Sequence, residues 1–395
     1  MSIKTIFQRK SENLKALLRY STINKELKGN YDLFFFFPFW QIGGGERVHA
    51  DILKVFKKEN TLCFLTDQSI NNGFKEEFQN YSTTVVLGRW TEKRSFRLFM
   101  LKKIAFTINN RKAPVIFGCH SPFFYSLIPY LKAHVKVVDL IHAFTFDPNG
   151  PEIYSLPYVQ RLDHRVILGE NTKKDFRDLY LEKGIDLKYL ERLTIITNKT
   201  PIPTNRPSKD YSGNLKVLFV ARNAPEKRPE IFVEVTKRCF EKQIPADCIM
   251  VGGFSGLVGQ VWSNTTLIGE LFDKEKLNEI YRQAHLILVT SWREGFPLVI
   301  MEGMGHGVVP ISTNVGEIPT YISSNSYKNG FLVEDKKNPG EIVDEFVYRI
   351  SHLCRNKDLL EEFSNNAFEF AQKNFGEEKF EQSYRKLLLE TPKEA

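Results

Sequence analysis

The segment SWREGFPLVIMEGM, residues 291–304, places two carboxylates, Glu294 and Glu302, around a Gly-Phe-Pro turn. Residues 285–290 before it form a short, mostly apolar run that predicts a buried strand. Pro297 suits the first position of a helix, because the N–H that it lacks has no helical partner there. We therefore predict Glu294 in a loop at the carboxyl end of a strand and Glu302 more than one turn into a helix. Open α/β sheets bind ligands at that edge, and two acceptors there suit a polyhydroxylated, anionic ligand.

Short apolar runs alternate with helix-length segments along the rest of the chain. The strand candidates in the first half are 31–40, 61–65, 82–87, 114–117, 135–141 and 165–168. In the second half they are 215–220, 247–251, 265–268, 286–290 and 308–312, with helices at 229–243, 274–283 and 298–305. This alternation predicts parallel sheets. We expect an α/β protein of two doubly wound domains, and the predicted boundaries are 1–200, a proline-containing linker at 201–213, 214–375, and a helix at 376–395 that packs back on the first domain.

Composition favours a folded protein of about two domains, since the chain has 395 residues, of which 42% are hydrophobic and 26% charged. The five cysteines are scattered and include no C-x-x-C pair. A disulfide framework or zinc site is therefore not expected, and a reducing compartment fits. No apolar run reaches the roughly 18 residues of a membrane span, and the N-terminus does not resemble a secretory signal. A cytoplasmic protein is the resulting expectation.

The net charge of +8 is unevenly distributed along the chain. Residues 1–200 hold 31 Lys and Arg against 20 Asp and Glu, whereas residues 201–395 hold 24 against 27. This asymmetry suggests that only the first domain faces an anion, although solubility alone also explains it. The basic, amphipathic segments 1–20 and 91–112 are candidate surfaces for an anionic membrane, and ordinary helices packed on a sheet are the alternative. Nucleic acid is disfavoured, because no recognised binding motif is present.

Candidate site residues of the first domain follow its strands. Gly43, Gly44 and Gly45 come directly after residues 31–40, and glycines there let the backbone approach a ligand closely, although a plain tight turn is the alternative. The pattern is not G-x-G-x-x-G, which disfavours a nicotinamide cofactor. His142 follows another strand and can bond to sugar hydroxyls or phosphate oxygens. His120 is a second candidate, and we expect His49 to serve packing.

In the second domain, Arg222 and Lys227 lie in the loop after the first strand. A guanidinium and an ammonium group there suit a diphosphate, whereas a solvated loop is the alternative. Gly253 follows the next strand. With Glu294 and Glu302, these residues are predicted to lie at the carboxyl ends of the strands of one sheet.

At this point the chain resembles a known family, the retaining GT-B glycosyltransferases of family 4. The resemblance rests on a strand–Arg–Lys element at 219–227, an E-x7-E signature at 294–302, and the strands and turns at 307–316 and 329–333. Less specific similarity lies in the Gly loop at 43–47 and the segment 163–174. The resemblance spans about residues 31–380 and implies GT-B architecture, with two Rossmann-like doubly wound domains facing each other across a cleft.

Residue roles follow from the same resemblance. Glu294 would bind the hydroxyls of the donor sugar, and His142 would touch the sugar or stabilise developing charge. Arg222 and Lys227 would neutralise the donor diphosphate, and Glu302 would bind the ribose. The full set expected to bind the donor is Gly44, Gly45, Arg222, Lys227, Gly253, Phe296, Pro297, Leu298 and Glu302.

The chain also departs from the family pattern. Gly303 and Gly305 replace helix-favouring residues, which predicts a short helix. Glu317 and Thr320 stand where the family has a glycine and a glutamate. No pair of aspartates occupies a suitable strand end, so no metal ion and no other cofactor is expected.

The predicted function is retaining transfer of a sugar from a UDP- or GDP-sugar to a glycan or lipid-linked acceptor. Bacterial polysaccharide or lipopolysaccharide assembly is the pathway that the resemblance suggests. Two alternatives stay open, a nucleotide-sugar epimerase of the GT-B fold and a non-catalytic nucleotide-sugar-binding protein. Peripheral association with the inner face of the cell membrane is a further hypothesis.

Overall fold

The computed structural model describes residues 20–390 except 22, 272 and 337. The basic segment at 1–20 therefore lies almost entirely outside the described residues. The chain divides into two compact units. The second unit comprises residues 168–175 and 195–380, and the first comprises the remaining described residues. Each unit is built on its own β-sheet.

The first unit contains a seven-stranded sheet of order β3-β2-β1-β4-β5-β6-β7. Its strands are β1 (Leu33–Phe37), β2 (Thr61–Leu65), β3 (Thr83–Val86), β4 (Val115–Cys119), β5 (Lys136–Leu140), β6 (His164–Ile167) and β7 (Leu193–Ile195). The pairs from β3 through β6 are parallel. The order reverses between β1 and β4, which makes the sheet doubly wound, as predicted.

Strand β1 explains much of the stability of this sheet. Its sequence is LFFFF, and all five side chains are buried. Alternate side chains point to opposite faces, and Phe36 stacks on Phe64 of β2 at 4.9 Å between ring centroids while Phe35 packs on Phe117 of β4 at 5.9 Å. A strand that is apolar on both faces is typical of a parallel sheet covered by helices on both sides.

A buried ion pair joins β5 to β6. Asp139 and Arg165 are direct partners across these strands, and Arg165 Nη2 lies 2.6 Å from Asp139 Oδ2. Tyr125 Oη donates to the same carboxylate at 2.7 Å, and the Arg165 guanidinium also donates to Ser155 Oγ at 2.7 Å. The adjacent carboxylate raises the pKa of Arg165, although burial opposes this. The charges are therefore compensated inside the first unit.

The helices of the first unit lie between its strands. They are α1 (Gly44–Val55), α2 (Lys75–Tyr81), α3 (Arg94–Asn109), α4 (Pro122–Leu127), α5 (Pro151–Tyr154) and α6 (Glu170–Glu182), whose first residues, 170–175, belong to the second unit. The glycines after β1 are not a plain tight turn, because Gly44 and Gly45 already form the first turn of α1. The Gly-rich segment therefore presents helix N-terminal amides, which lack partners within the helix.

The second unit contains a six-stranded sheet of order β10-β9-β8-β11-β12-β13, with parallel pairing throughout. Its strands are β8 (Leu215–Val220), β9 (Ala246–Val251), β10 (Thr265–Gly269), β11 (Leu286–Val289), β12 (Val309–Thr313) and β13 (Phe331–Val333). The order reverses between β8 and β11. Open α/β sheets bind ligands at the carboxyl ends of the two strands that flank such a reversal.

The remaining helices are α7 (Pro229–Glu241), α8 (Lys274–Gln283), α9 (Leu298–Met304), α10 (Ile318–Tyr321), α11 (Pro339–Arg355), α12 (Lys357–Asn374) and α13 (Glu377–Leu389). The placement of Pro297 at the first helical position was wrong by one residue. Its ψ of 130° is extended, and α9 begins at Leu298. Helix α9 has seven residues, in agreement with the short helix predicted from Gly303 and Gly305.

The expected linker and the C-terminal helix each pack on one unit. Within 201–213, the expected linker, no residue is helix or strand, and Lys209 Nζ donates to the carbonyls of Tyr281, Arg282 and Ala284 at 2.7–2.9 Å. Burial lowers the pKa of Lys209 to about 7. In α13, Tyr384 packs on Phe117 of the first sheet, 6.0 Å between ring centroids. The end of this helix thus belongs to the first unit.

All five cysteines are free and buried. Among the described residues, no helix combines the length and apolar character needed to cross a bilayer.

Candidate nucleotide-sugar site

A cationic loop and the segment that carries Glu294 meet where the second sheet reverses its order. The cationic loop, residues 221–228, follows β8, and the segment 290–297 follows β11. Lys227 Nζ lies 2.7 Å from Glu294 Oε1, and Ser291 Oγ donates to the same oxygen at 2.6 Å. The side chains of Lys227 and Glu294 are 19% and 9% exposed. The ion pair is therefore partly shielded from water, which strengthens it relative to a surface pair.

Backbone contacts fix these two loops to each other. Arg228 adopts a left-handed conformation with φ 48°, and its Nε donates to the carbonyl of Thr290 at 2.6 Å. Thr290 Oγ1 donates in return to the carbonyl of Lys227 at 2.7 Å, and the Trp292 N–H donates to Glu226 O at 3.1 Å. The position of Lys227 is thus set by the fold before any ligand binds. Sequence reasoning did not single out Arg228, because its partners, the carbonyls of Thr290 and Ser291 and the carboxylate of Asp335, lie far along the chain.

Arg222 and Gly253 occupy the rim of the same edge. The Arg222 side chain is 65% exposed and lies 3.5 Å from Glu226, so this guanidinium keeps donors available to solvent. Gly252 has a φ of 142°, and a Cβ there would lie 2.0 Å from the carbonyl oxygen of Ala221. Glycine is therefore required where β9 ends against the cationic loop. A Cβ at Gly253 would come within 3.2 Å of a Glu270 oxygen.

The second carboxylate of the signature lies on α9. Tyr281 Oη donates to Glu302 Oε2 at 3.0 Å, and Tyr281 is itself buried on α8. Phe296 is buried and packs on Tyr321 at 4.5 Å between ring centroids. Its side chain serves the core, so only its backbone remains for a ligand. Pro297 and Leu298 are half-buried beside it.

Two residues that sequence reasoning did not place in the site support Glu294. Gly316 has a φ of 55°, and a Cβ there would lie 2.0 Å from the Glu294 carbonyl oxygen. The Glu317 N–H donates to Gly295 O at 3.0 Å. The Glu317 carboxylate is fully buried and accepts from the backbone amides of Asn171 and Thr172 and from Thr320 Oγ1. This departure from the family pattern thus has a structural role, capping the start of α6.

In the first unit, the structure brings the Gly-rich turn and His142 together. A Cβ at Gly45 would lie 3.6 Å from the His142 ring, and His142 follows β5. His142 Nε2 lies 3.1 Å from Nε2 of His49 on α1. His49 stacks on Phe37 at 4.2 Å between ring centroids, which confirms its packing role. The contact with His142 was not anticipated, since the two residues are 93 positions apart.

These imidazoles are neutral at physiological pH. Burial and the neighbouring His120 lower the pKa of His142 to about 3, and burial lowers that of His120 to about 4. Burial and His142 hold the pKa of His49 well below its ordinary value. The sequence allowed a neutral or protonated His142, and the structure favours the neutral form. A neutral imidazole can donate or accept one hydrogen bond but cannot neutralise a phosphate.

Comparison with known proteins gives this geometry a family context. Residues 203–370 match the family model of glycosyl transferases group 1. The chain is 26% identical over 200 residues to a D-inositol 3-phosphate glycosyltransferase of Corynebacterium efficiens, covering 44% of this chain and 46% of that protein. It is 26% identical over 227 residues to a trehalose synthase of Thermococcus litoralis, covering 54% and 49%. The chain thus spans about half the length of these curated relatives.

The similarity to solved structures extends over a larger share of the chain than the similarity to these relatives. Anabaena HepE, crystallised with UDP, superposes with a TM-score of 0.70 at 15% identity, covering 90% of this chain and 99% of HepE. A glycosyltransferase from Rickettsia africae gives a TM-score of 0.66 at 17% identity, covering 92% and 100%. The chain thus shares the two-domain GT-B fold of these solved structures, and its residues 203–370 form a region that matches the glycosyl transferases group 1 model.

Proposed function

We propose that this protein transfers a sugar from a nucleotide-sugar donor, a UDP- or GDP-sugar, to a glycan or lipid-linked acceptor. The observation that carries the proposal is the contact between Lys227 and Glu294 at the reversal of the second sheet. A cation for phosphate and a carboxylate for sugar hydroxyls lie side by side there, as a sugar diphosphate requires. Further support comes from the fold neighbour HepE, which was crystallised with UDP and with UDP-glucose.

The diphosphate is the group that this edge is best suited to hold. Lys227 supplies a fixed ammonium group, and Arg222 supplies an exposed guanidinium with a fork of donors. Charge develops on the leaving diphosphate as the bond to the sugar breaks. Two cations fixed in place stabilise that charge without reorganisation, and we propose that they do so without a metal ion bound to the donor.

We assign the sugar and ribose to the two carboxylates. Glu294 has one oxygen occupied by Lys227 and Ser291, and a carboxylate has further lone pairs for sugar hydroxyls. Glu302, held by Tyr281, would accept from the ribose. For the first unit we propose the roles that the resemblance implies, with Gly44 and Gly45 near the diphosphate and His142 at the sugar.

Retention of configuration, by attack on the same face within an ion pair, is part of the proposal. It rests on the resemblance to family 4, as does the assignment to polysaccharide or lipopolysaccharide assembly. The relatives are named for two different activities, D-inositol 3-phosphate glycosyltransferase and trehalose synthase, so the acceptor class is stated only as glycan or lipid-linked.

An epimerase of the same fold and a non-catalytic binding protein are the competing functions. An epimerase would convert a UDP-sugar without any acceptor, whereas a transferase would leave the sugar intact or slowly hydrolyse it. Isomerised product from purified protein and UDP-sugar alone would therefore favour the epimerase. Binding without turnover, over a panel of acceptors, would favour the binding protein.

The nucleotide role of Lys227 is testable by Lys227→Ala. We expect UDP to bind roughly 10- to 100-fold more weakly, because a charge-assisted contact contributes about 1.5–3 kcal/mol. Calorimetry with UDP measures this, after a thermal-shift panel of UDP-, GDP- and ADP-sugars has identified the base. Lys237→Ala is the matched control, since Lys237 pairs with Glu234 within α7. Equal affinity of wild type and Lys227→Ala for the selected nucleotide would remove Lys227 from the site.

We further propose a cytoplasmic protein that associates with the inner face of the membrane. Helix α3 supports this proposal, because residues spaced four apart along it alternate between cationic and apolar side chains. These residues are Arg94, Leu98, Lys102 and Phe106, and the apolar ones are exposed, Leu98 by 43% and Phe106 by 66%. Alternating cations and apolar groups on one helix face suit an anionic lipid surface.

Flotation with anionic liposomes at low salt tests this surface. Wild type should float, and the charge-reversed variant Arg94→Glu/Lys102→Glu should float less, because the lipid headgroups would repel it. Neutral liposomes are the control. Wild-type protein that stays at the bottom of the gradient with anionic liposomes would refute membrane association through this helix.

A further inference from the structure

Three side chains that could bind a metal ion converge at the first sheet. They are His49 on α1, Cys119 at the end of β4, and His142, two residues after the end of β5. The candidate ligand atoms of these residues lie within 4.8 Å of one another. The two imidazole Nε2 atoms are only 3.1 Å apart. This group could not be recognised from the sequence, because its members are distant along the chain and have no metal-binding spacing.

The chemistry of the group suits a borderline metal ion. Two imidazoles and one thiolate are ligands that zinc prefers, and the group contains no carboxylate of the kind that magnesium or calcium requires. In a tetrahedral zinc site with Zn–N of about 2.0–2.1 Å, two ligand nitrogens are about 3.3 Å apart. The observed 3.1 Å is close to that value.

The surroundings hold buried polar atoms that the fold leaves without hydrogen bonds. His49 Nδ1 and His120 Nε2 are buried and have no hydrogen-bond partner. His120 has a left-handed backbone with φ 49°, and its ring lies 5.4 Å from that of His142 between centroids. Buried unpartnered nitrogens cost free energy and are retained where they serve a ligand or a second conformation. They provide an independent indication that this cluster binds something.

We propose that His49, Cys119 and His142 form a binding site for zinc or a chemically similar transition-metal ion. Binding requires the widest gap in the group, at most 4.8 Å, to close by no more than about 1.5 Å, given ligand separations of about 3.3–3.6 Å in such a site. The Cys119 thiol gives its proton to solvent as its sulfur binds the metal. Three protein ligands leave a fourth position for water or another ligand. This site departs from the absence of metal expected from the sequence.

A consequence of the site rests on the proposed function. His142 Nε2 cannot bind a metal ion and a sugar hydroxyl at the same time. Zinc would therefore inhibit sugar transfer by occupying this imidazole, while nucleotide binding by Lys227 in the second unit would be unaffected. The metal site itself is independent of whether the protein transfers sugars.

Cobalt(II) substitution tests the site without any donor or acceptor. We expect wild-type protein, kept reduced, to bind one cobalt ion with an intense near-ultraviolet charge-transfer band from the thiolate, and zinc to bleach that band. Cys119→Ala should lack the band. His142→Ala, at a half-buried position that tolerates truncation, should bind cobalt more than about tenfold more weakly, since even outer partners of metal ligands change affinity by that much.

Cys63→Ala is the control variant, because Cys63 is a buried thiol on β2 outside the group. It should retain the full band. Absence of the band in wild type at excess cobalt would overturn the proposal, as would a band that persists in Cys119→Ala or disappears in Cys63→Ala. Unchanged cobalt affinity in His142→Ala would also overturn it. UDP calorimetry on the same samples reports separately on the proposed function.

Discussion

Glu294→Gln is expected to lower the rate of sugar transfer about 10²- to 10³-fold, the range for losing one preorganised electrostatic group in an active site. Glutamine keeps the shape of glutamate but replaces the negative charge with a neutral amide. Glu294 Oε1 accepts from Lys227 at 2.7 Å and from Ser291 at 2.6 Å. The variant weakens both bonds, and it also weakens acceptance from sugar hydroxyls.

Steady-state kinetics with the identified donor measures this effect. The control is Glu345→Gln, which removes the charge of a carboxylate that pairs with Arg349 at 2.8 Å on α11. Both variants should show wild-type circular dichroism, because neither side chain lies in an apolar core. A Glu294→Gln enzyme with a near-normal rate would contradict the assignment of Glu294 to the sugar, whatever its affinity for UDP.

Asp139→Asn is expected to lower the free energy of unfolding of the first unit by about 3–5 kcal/mol, the cost of leaving one buried charge unpaired. Asparagine fits the space but leaves the Arg165 guanidinium without a counter-charge, at a position where both side chains are almost completely buried. Tyr125 retains an acceptor, so the loss reports mainly on charge. Chemical denaturation followed by circular dichroism measures it.

Two further variants separate the effect of the unpaired charge on stability from the effect of substitution itself. Asp139→Leu/Arg165→Met removes both charges and should be more stable than Asp139→Asn, because no unpaired charge remains. Asp178→Asn removes one member of an exposed pair with Arg177 and should have little effect. If Asp139→Asn unfolds at the same denaturant concentration as wild type, the buried pair does not support the sheet as described.

The sequence predicted the parts of the fold that depend on local pattern. Strands such as β2 and β8 are mostly apolar, and the structure has them at the predicted residues. Strand β7 has only three residues, and β13, with three as well, was recognised only as a turn of the family. A short strand at or near the edge of a sheet needs few apolar side chains, so its sequence contrasts little with a loop.

The candidate site was predictable where its residues follow strands. Lys227 and Glu294 could be placed at one sheet edge because both come after strands of a doubly wound sheet. Contacts between distant segments could not be predicted. From the sequence, Glu317 was only a departure from the family pattern, and the structure shows its carboxylate capping the backbone at Asn171 and Thr172. The contact between His49 and His142 was unpredictable for the same reason, because the folding of the sheet and not sequence spacing brings these residues together.

The tight packing of Gly316 against Glu294 affects how natural variation in this protein should be interpreted. Any larger residue at 316 would push on the carbonyl of Glu294, so an allele there would resemble a loss of substrate recognition although position 316 itself need touch no substrate. Selection schemes that aim at new donor preferences should therefore leave this glycine unchanged. Inactive clones altered at 316 would then be attributed to loop distortion and not counted as evidence about specificity.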